Sequence, residues 1–170
     1  MLRGVTGTGE AHSEDEILAF TTRCEAAVAA VQSDLDRTGL RKFRLSSTVT
    51  DDVEGYGLYA YVGLPTGTVE AEFPGEGLSP DLDDDWLLEL AATNAIGALL
   101  IDEHIRWPRC IEHPTKYMVG GKPGRLGKPP DHPGWWWCNA VTPTAKPHPV
   151  SPIGQLQPKQ VVPPYSRPGT

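Results

Sequence analysis

Residues 13–37 read SEDEILAFTTRCEAAVAAVQSDLDR, and this stretch predicts the first element of the fold. Ser13-Glu14-Asp15-Glu16 fits a capping box, in which a serine hydroxyl accepts a helix amide and a glutamate reaches back to the serine amide. Apolar residues then recur every three or four positions, at Ile17, Phe20, Cys24, Ala27, Val28, Val31 and Leu35. The pattern predicts an amphipathic helix over about 14–37, with Gly39 after its end.

The period of the apolar residues changes to two after this helix. Alternation in residues 43–49, 56–64 and 69–73 predicts three strands, separated by turn residues such as Pro65-Thr66-Gly67. In the second strand, one face carries Tyr56, Leu58, Ala60, Val62 and Leu64, and the other carries Tyr59 and Tyr61. We expect an antiparallel meander with one apolar face.

A second helix is predicted from Ser79-Pro80-Asp81-Leu82 to about Ile105. Proline early in a helix and acids near its N-terminus both favour this start. A broad apolar stripe follows and indicates a mostly buried helix, formed by Trp86, Leu87, Leu90, Ala91, Ala95, Ile96, Leu99 and Leu100. Helix, meander and helix together predict the α+β fold class.

Charge and proline content divide the chain at Arg106-Trp107-Pro108. The 170 residues carry a net charge of −7, but residues 1–105 contribute −14 and residues 106–170 contribute +7. Of the 17 prolines, 14 follow Arg106. We therefore predict an acidic α+β domain over 13–105, a basic module rich in proline and tryptophan over 106–156, and a disordered tail over 157–170.

The basic module contains a pattern that suggests a zinc site. Cys110 and His113 are separated by two residues, so one tight turn can present both side chains to a single ion. Cys138 supplies a third ligand. His148 is the predicted fourth, in preference to His132, because a hairpin after Cys138 would return His148 to the metal; a missing fourth ligand or a water molecule stays open. A segment with so few aliphatic residues gains most from a structural ion. The alternative without a metal is two reduced thiols and surface histidines in a loosely packed loop.

Trp135, Trp136 and Trp137 form the one predicted strand of the module. One interpretation is packing, with one face closing the metal loop and the other lying on the second helix. The alternative is a stacking surface for bases or sugars. It would be assisted by Lys146 and by Lys122, Arg125 and Lys128 of a flexible basic loop that is predicted over residues 118–128. Cys24, in contrast, lies on the apolar stripe of the first helix and is predicted to be a buried core residue.

Three short motifs carry a resemblance to other proteins: Trp107-Pro108-x-Cys110-x-x-His113-Pro114, Gly134-Trp135-Trp136-Trp137-Cys138 and Ile153-Gly154-Gln155-Leu156. The set resembles the C-terminal part of small uncharacterised proteins of actinobacteria and their phages. Those proteins similarly place a Cys-x-x-His-Pro element after a helix and a tryptophan-rich strand that ends in cysteine. The resemblance implies a phage-derived protein and brings no known activity.

Motifs of common enzymes are missing from the sequence. It has no His-Glu-x-x-His, no zinc-deaminase pattern and no phosphate loop after a strand. Asp102-Glu103-His104 is interpreted as a solvated patch, and Asp83-Asp84-Asp85 as acids at a helix N-terminus. We therefore expect a non-enzymatic structural or interaction protein with a protein partner and zinc as its cofactor.

Two alternatives to this function remain. One is nucleic-acid binding through the basic module. The other is a hydrolase with Cys110 or Cys138 as nucleophile and His113 or His148 as base. The absence of a hydrophobic leader or an apolar run of membrane length predicts a cytoplasmic protein without a membrane partner.

Overall fold

The computed structural model describes residues 12–52, 57–65, 79–116, 118–120, 134–140 and 146–163. Mixed helix and sheet confirm the α+β class. The elements, in chain order, are α1 (Glu14–Arg37), β1 (Ser46–Asp52), β2 (Gly57–Gly63), α2 (Asp84–Asp102), β3 (Met118–Gly120), β4 (Trp135–Cys138), β5 (His148–Pro152) and a 3-10 turn (Pro158–Gln160). Neither α-helix of this described part combines the length and the apolar character needed to cross a membrane.

Helix α1 has the predicted bounds because its signals are local. The Ser13 hydroxyl accepts the Glu16 amide at 3.3 Å, and the Ser13 amide donates to the Glu16 carboxylate at 2.8 Å, which completes the capping box. The predicted apolar stripe is buried from Phe20 to Leu35, with Cys24 among the fully buried residues. The prediction of a buried Cys24 is confirmed.

Strands β1 and β2 form an antiparallel hairpin that packs against both helices. Leu58, Ala60 and Val62 are buried, as the alternation in β2 predicts. Strand β1 begins three residues later than expected, because the Gln32 side chain of α1 binds the backbone at Phe43 and Leu45. The third predicted strand, residues 69–73, lies outside the described residues, so the meander stays a prediction.

Helix α2 is shorter than predicted at both ends. Asp83 is its N-cap, and its carboxylate accepts the Trp86 amide at 2.8 Å. The preceding residues form a turn whose Pro80 and Leu82 carbonyls accept the Arg23 guanidinium. At the other end, His104 has a positive φ of 55°, which turns the chain out of the helix. The Ile105 amide then donates to the Leu99 carbonyl at 2.9 Å, and this hydrogen bond caps the C-terminus of α2.

The second sheet has the order β3-β4-β5, with both pairs antiparallel. Strand β4 corresponds to the predicted tryptophan strand. Residues 118–120 were expected in a loop, but they pair with β4 as β3. Strand β5 was not predicted, because Pro149 and Pro152 are untypical of a strand. Its pairing with β4 has a bulge between Trp136 and Trp137, next to Pro149.

The segment 157–163, called the strap below, differs from the expected disorder. Its 3-10 turn is followed by Val161, which is 2% exposed and pairs with Cys110 in an antiparallel bridge. The Ile111 amide donates to the Gln160 carbonyl at 3.1 Å, and the Val162 amide donates to the Arg109 carbonyl at 2.9 Å. A short segment without periodicity is thus ordered by pairing with a distant part of the chain. Residues 164–170 lie outside the described residues.

One cluster of buried apolar residues contains side chains from both sides of Arg106. Trp107 and Trp136 meet edge to face, with ring centroids 5.3 Å apart, and the Trp107 indole donates to the Thr38 hydroxyl of the α1 C-cap at 2.9 Å. The division into two domains stays a prediction.

Strand β3 lies so close to α2 that Gly120 has no room for a side chain. A methyl group there would lie 2.9 Å from the Glu89 carbonyl oxygen and 3.2 Å from the Ala92 Cβ. Gly97 lies in α2, and a methyl group added there would have no atom within 4 Å. We expect Gly120→Ala to lower the free energy of unfolding by about 1–3 kcal/mol and Gly97→Ala to raise it by about 0.5–1 kcal/mol. Urea unfolding at fixed zinc concentration measures both, and equal effects would contradict the close packing of β3 on α2.

Candidate metal centre

The first half of the candidate site is a tight turn at residues 110–113. Cys110 is held by its bridge to Val161, and the His113 amide donates to the Cys110 carbonyl at 3.2 Å. The next turn follows at once, because the Lys116 amide donates to the His113 carbonyl at 2.9 Å. These turns bring both side chains to one side, as the two-residue spacing predicts.

The second half of the site comes from neighbouring strands. Cys138 ends β4, His148 begins β5, and the two residues are directly opposite each other in the antiparallel register. Side chains at such positions point to the same face and lie within contact distance. A nine-residue connection therefore brings a cysteine and a histidine together, although residues 141–145 of this connection lie outside the described residues.

The four side chains converge on one point. One ligand atom from each of Cys110, His113, Cys138 and His148 can be chosen so that all four lie within 4.8 Å of one another. The Cys138 Sγ is 3.4 Å from the His113 Nδ1, and the Cys110 Sγ is 3.9 Å from the same nitrogen and 3.8 Å from the His148 Nε2. Two sulfur and two nitrogen donors at this spacing could hold a metal ion.

The orientation of the imidazoles suits metal binding. His148 turns its Nε2 towards Cys110, while its Nδ1 lies 3.2 Å from the Lys146 carbonyl oxygen. A hydrogen on Nδ1 donated to that carbonyl leaves the Nε2 lone pair free for an ion. The Glu112 carboxylate lies 3.7 Å from His148 Nε2, and its side chain is 71% exposed.

Burial controls the acidity of the Cys138 thiol. Burial is the main cause that raises its pKa from 9.0 to about 11; the Ala140 amide opposes the shift, and the nearby Cys110 sulfur adds to it. A buried pair of thiolates is unfavourable without a cation, whereas a divalent ion stabilises both charges. Burial likewise raises the pKa of Cys24 to about 11, which makes this third cysteine a poor nucleophile.

Two buried carboxylates attach the second sheet to the helices. Asp34 of α1 accepts the Trp136 indole at 2.6 Å and the Gly154 and Leu156 amides at 2.7 Å each. Glu89 of α2 accepts the Gly134 amide at 2.9 Å. Burial raises the pKa of both carboxyl groups, and these hydrogen bonds oppose the shift. Neither residue belongs to a recognisable sequence motif; for Asp34, the available signal was an acidic residue next to Leu35 of the buried apolar stripe.

Two of the three tryptophans of β4 favour the packing interpretation over the stacking one. Trp136 is fully buried and Trp137 is 4% exposed, so neither ring offers a free face to a base, whereas Trp135 is half-buried. The Trp136 indole donates to the Asp34 carboxylate of α1 at 2.6 Å, and the packing of this strand on the second helix stays a prediction. The basic loop that the stacking interpretation also used lies outside the described residues after Gly120.

The other two acidic clusters differ from each other. Asp83 caps α2, and the Asp84 carboxylate binds the Arg23 guanidinium at 2.7 Å, as expected for acids at a helix N-terminus. Glu103 and His104 are exposed at the end of α2, as expected for a solvated patch, but Asp102 is half-buried and its Oδ2 has no hydrogen-bond partner among the described residues. His132, the alternative fourth ligand, lies outside the described residues.

Comparisons of the chain with protein-family models, with curated proteins and with solved structures found no match. The geometry of the metal centre is therefore the main guide to the function.

Proposed function

We propose that the protein binds one zinc ion through Cys110, His113, Cys138 and His148, and that this ion shapes a non-catalytic structural or interaction protein. The single observation behind the proposal is the convergence of the four donor atoms within 4.8 Å. Four protein ligands fill a tetrahedral zinc ion and leave no position for a substrate or a reactive water molecule. A closed centre of this kind stabilises a fold rather than performing chemistry.

The distances between donors support zinc. In a tetrahedral centre with Zn–S bonds of about 2.3 Å and Zn–N bonds of about 2.0 Å, neighbouring donors lie about 3.3 to 3.8 Å apart. Three of the six donor–donor distances, each between a sulfur and a nitrogen, are 3.4, 3.8 and 3.9 Å, and all six are within 4.8 Å. Zinc binding thus requires the more distant donors to move closer by up to about 1.5 Å.

The chemistry of the donors also favours zinc over other common ions. Thiolate and imidazole together suit zinc, while magnesium and calcium take oxygen ligands. Two thiolates and two neutral imidazoles balance the charge of a divalent ion, which permits its burial. The cytoplasm, where thiols are kept reduced, is the compartment that preserves such a site.

The ion would connect two segments that are distant in the sequence. The turn at residues 110–113 has an exposed Ile111 and Glu112 beside the buried Cys110, and the residues on both sides of β4 and β5 are rich in proline. Four bonds to one ion tie this turn to the β4–β5 hairpin. The resulting rigid, basic surface is the part of the molecule that we propose for contact with an acidic protein partner.

Elemental analysis of the purified full-length protein tests the proposal. We expect about one zinc per chain, which a competing chelator removes only slowly. Cobalt(II) substitution should give the intense visible bands of a tetrahedral ion together with a thiolate charge-transfer band. Substoichiometric zinc after purification without chelator would contradict the proposal, and rapid alkylation of Cys138 at neutral pH would then favour the hydrolase alternative.

Two histidine variants test the fourth ligand. His148→Ala should lower the zinc affinity by at least about a hundredfold because it removes a donor. His132→Ala, the matched control from the same region of the chain, should leave the affinity unchanged. Competition with a chromogenic chelator measures both constants. Loss of affinity in His132→Ala with retention in His148→Ala would reverse the assignment.

A further inference from the structure

We propose that Glu112 is the entry ligand of the metal centre: together with His148, its carboxylate binds a zinc ion arriving from solvent and then passes the ion to the buried cysteines. The inference rests on the proposed zinc site and adds a residue that regulates its loading. The same contact, made in reverse, lets the ion leave. Glu112 therefore sets how fast zinc is exchanged, while the four proposed ligands, called the inner donors below, set how tightly it is held.

The position of Glu112 brings its carboxylate to the edge of the centre. Glu112 lies in the turn between Cys110 and His113, the first two ligands in the sequence. Its Oε2 is 3.7 Å from the His148 Nε2. That nitrogen is the one that faces the Cys110 sulfur, at 3.8 Å. The carboxylate is thus next to a donor atom of the centre and not next to the far side of the imidazole.

The separation of these two atoms suits a shared ion. An oxygen and a nitrogen that each bind zinc at about 2.0–2.2 Å in a tetrahedral arrangement lie about 3.3–3.6 Å apart. The 3.7 Å between the Glu112 Oε2 and the His148 Nε2 is close to this range. One ion can therefore contact both residues after a small movement of either side chain.

Glu112 is nevertheless not an inner donor. Among the described residues, the group whose ligand atoms all lie within 4.8 Å of one another contains the two cysteines and the two histidines, but not Glu112. A tetrahedral zinc ion with these four ligands has no position left for a carboxylate. Glu112 can contact the ion only before the centre is complete, or after one inner donor has dissociated.

Burial arranges the ligands in an order from solvent to the interior. The Glu112 side chain is 71% exposed and that of His148 is 30% exposed. Cys110 and Cys138 are almost completely buried. A cation from solvent therefore meets the carboxylate before the sulfurs, and the negative charge also attracts it. Thiolates bind zinc more tightly than a carboxylate does, so the ion moves on to the inner donors.

The test measures zinc exchange in the full-length protein with and without this carboxylate. Release from zinc-loaded protein is followed with a chromogenic chelator and extrapolated to zero chelator, and competition at equilibrium gives the dissociation constant. We expect about tenfold slower release in Glu112→Gln, with the dissociation constant unchanged within about threefold, because the carboxylate contacts the ion only in the transition state. The rate constant of binding, which is the release rate divided by the dissociation constant, then falls by the same factor.

Two further variants separate ligation from charge. Glu103→Gln removes another exposed carboxylate, at the C-cap of α2, and should change neither constant. Glu112→His has a neutral imidazole at about pH 8, which can bind zinc but carries no charge. It should release zinc at least about fivefold faster than Glu112→Gln, because it restores a ligand for the transition state.

The other outcomes overturn the entry ligand and leave the proposed function intact. Attraction by charge alone would slow binding without slowing release, and about 1 M salt would remove the difference. Faster release with a weaker dissociation constant in Glu112→Gln would make Glu112 a permanent ligand. Two unchanged constants would leave it without a role at the centre. Protein that contains no zinc after purification would overturn both proposals.

Discussion

Replacing Cys138 with serine is expected to abolish zinc retention and to lower the thermal midpoint by at least about 10 °C, since structural zinc contributes directly to folding. Cys138 is fully buried, and its sulfur lies 3.4 Å from the His113 Nδ1. A serine hydroxyl at this position is a shorter and far poorer ligand. It also leaves a polar group in a buried site without its ion.

Zinc content after dialysis against a chelator, and circular dichroism on heating, measure the two effects of Cys138→Ser. Cys24→Ala is the matched control, because it removes a buried cysteine that lies on α1 and takes no part in the four-donor cluster. The control should keep about one zinc per chain and lose stability only through its small cavity. Equal zinc content in the two variants would show that Cys138 is not a ligand.

The Asp34→Asn substitution is expected to destabilise the protein by about 3–5 kcal/mol, although the two side chains have nearly the same shape. The Asp34 carboxylate accepts three hydrogen bonds, from the Trp136 indole and from the Gly154 and Leu156 amides. An asparagine turns an NH₂ group towards at least one of these donors. That donor then faces another donor in a buried site, where no solvent replaces the lost bond.

Asp36→Asn is the matched control for Asp34→Asn on the same helix. The Asp36 side chain is 42% exposed and binds the exposed Arg44 at 3.1 Å, so its loss should cost less than about 1 kcal/mol. Urea unfolding at fixed zinc concentration compares the two variants, because bound metal itself adds to the measured stability. A cost below 1 kcal/mol for Asp34→Asn would mean that Asp34 does not attach the second sheet to α1.

The parts of the fold that were predicted well depend on residues close together in the sequence. The capping box at Ser13 and Glu16 spans three residues, and the alternation of Leu58, Ala60 and Val62 needs only one strand. Strand β5 and the strap escaped prediction for the opposite reason. Their prolines oppose regular structure locally, and only pairing with β4 and with the Cys110 segment holds them in place.

The candidate site follows the same division. The two-residue spacing of Cys110 and His113 suggested a metal turn, and the residue types suggested zinc. His148 was predicted as a ligand on the assumption of a hairpin after Cys138. The structure contains the β4–β5 pairing, which places Cys138 and His148 opposite each other. Whether an ion binds there stays a prediction that elemental analysis decides.

By itself, the sequence determined the helix α1, the alternating face of β2 and the kinds of donor atom available for a metal. Only the tertiary structure decided which donors meet, where the strap lies and why Asp34 is buried. His113 and Cys138 are 25 residues apart, and Asp34 and Leu156 are 122 apart. Periodicity and capping act within a few residues, whereas contacts over such separations depend on how the elements pack against one another.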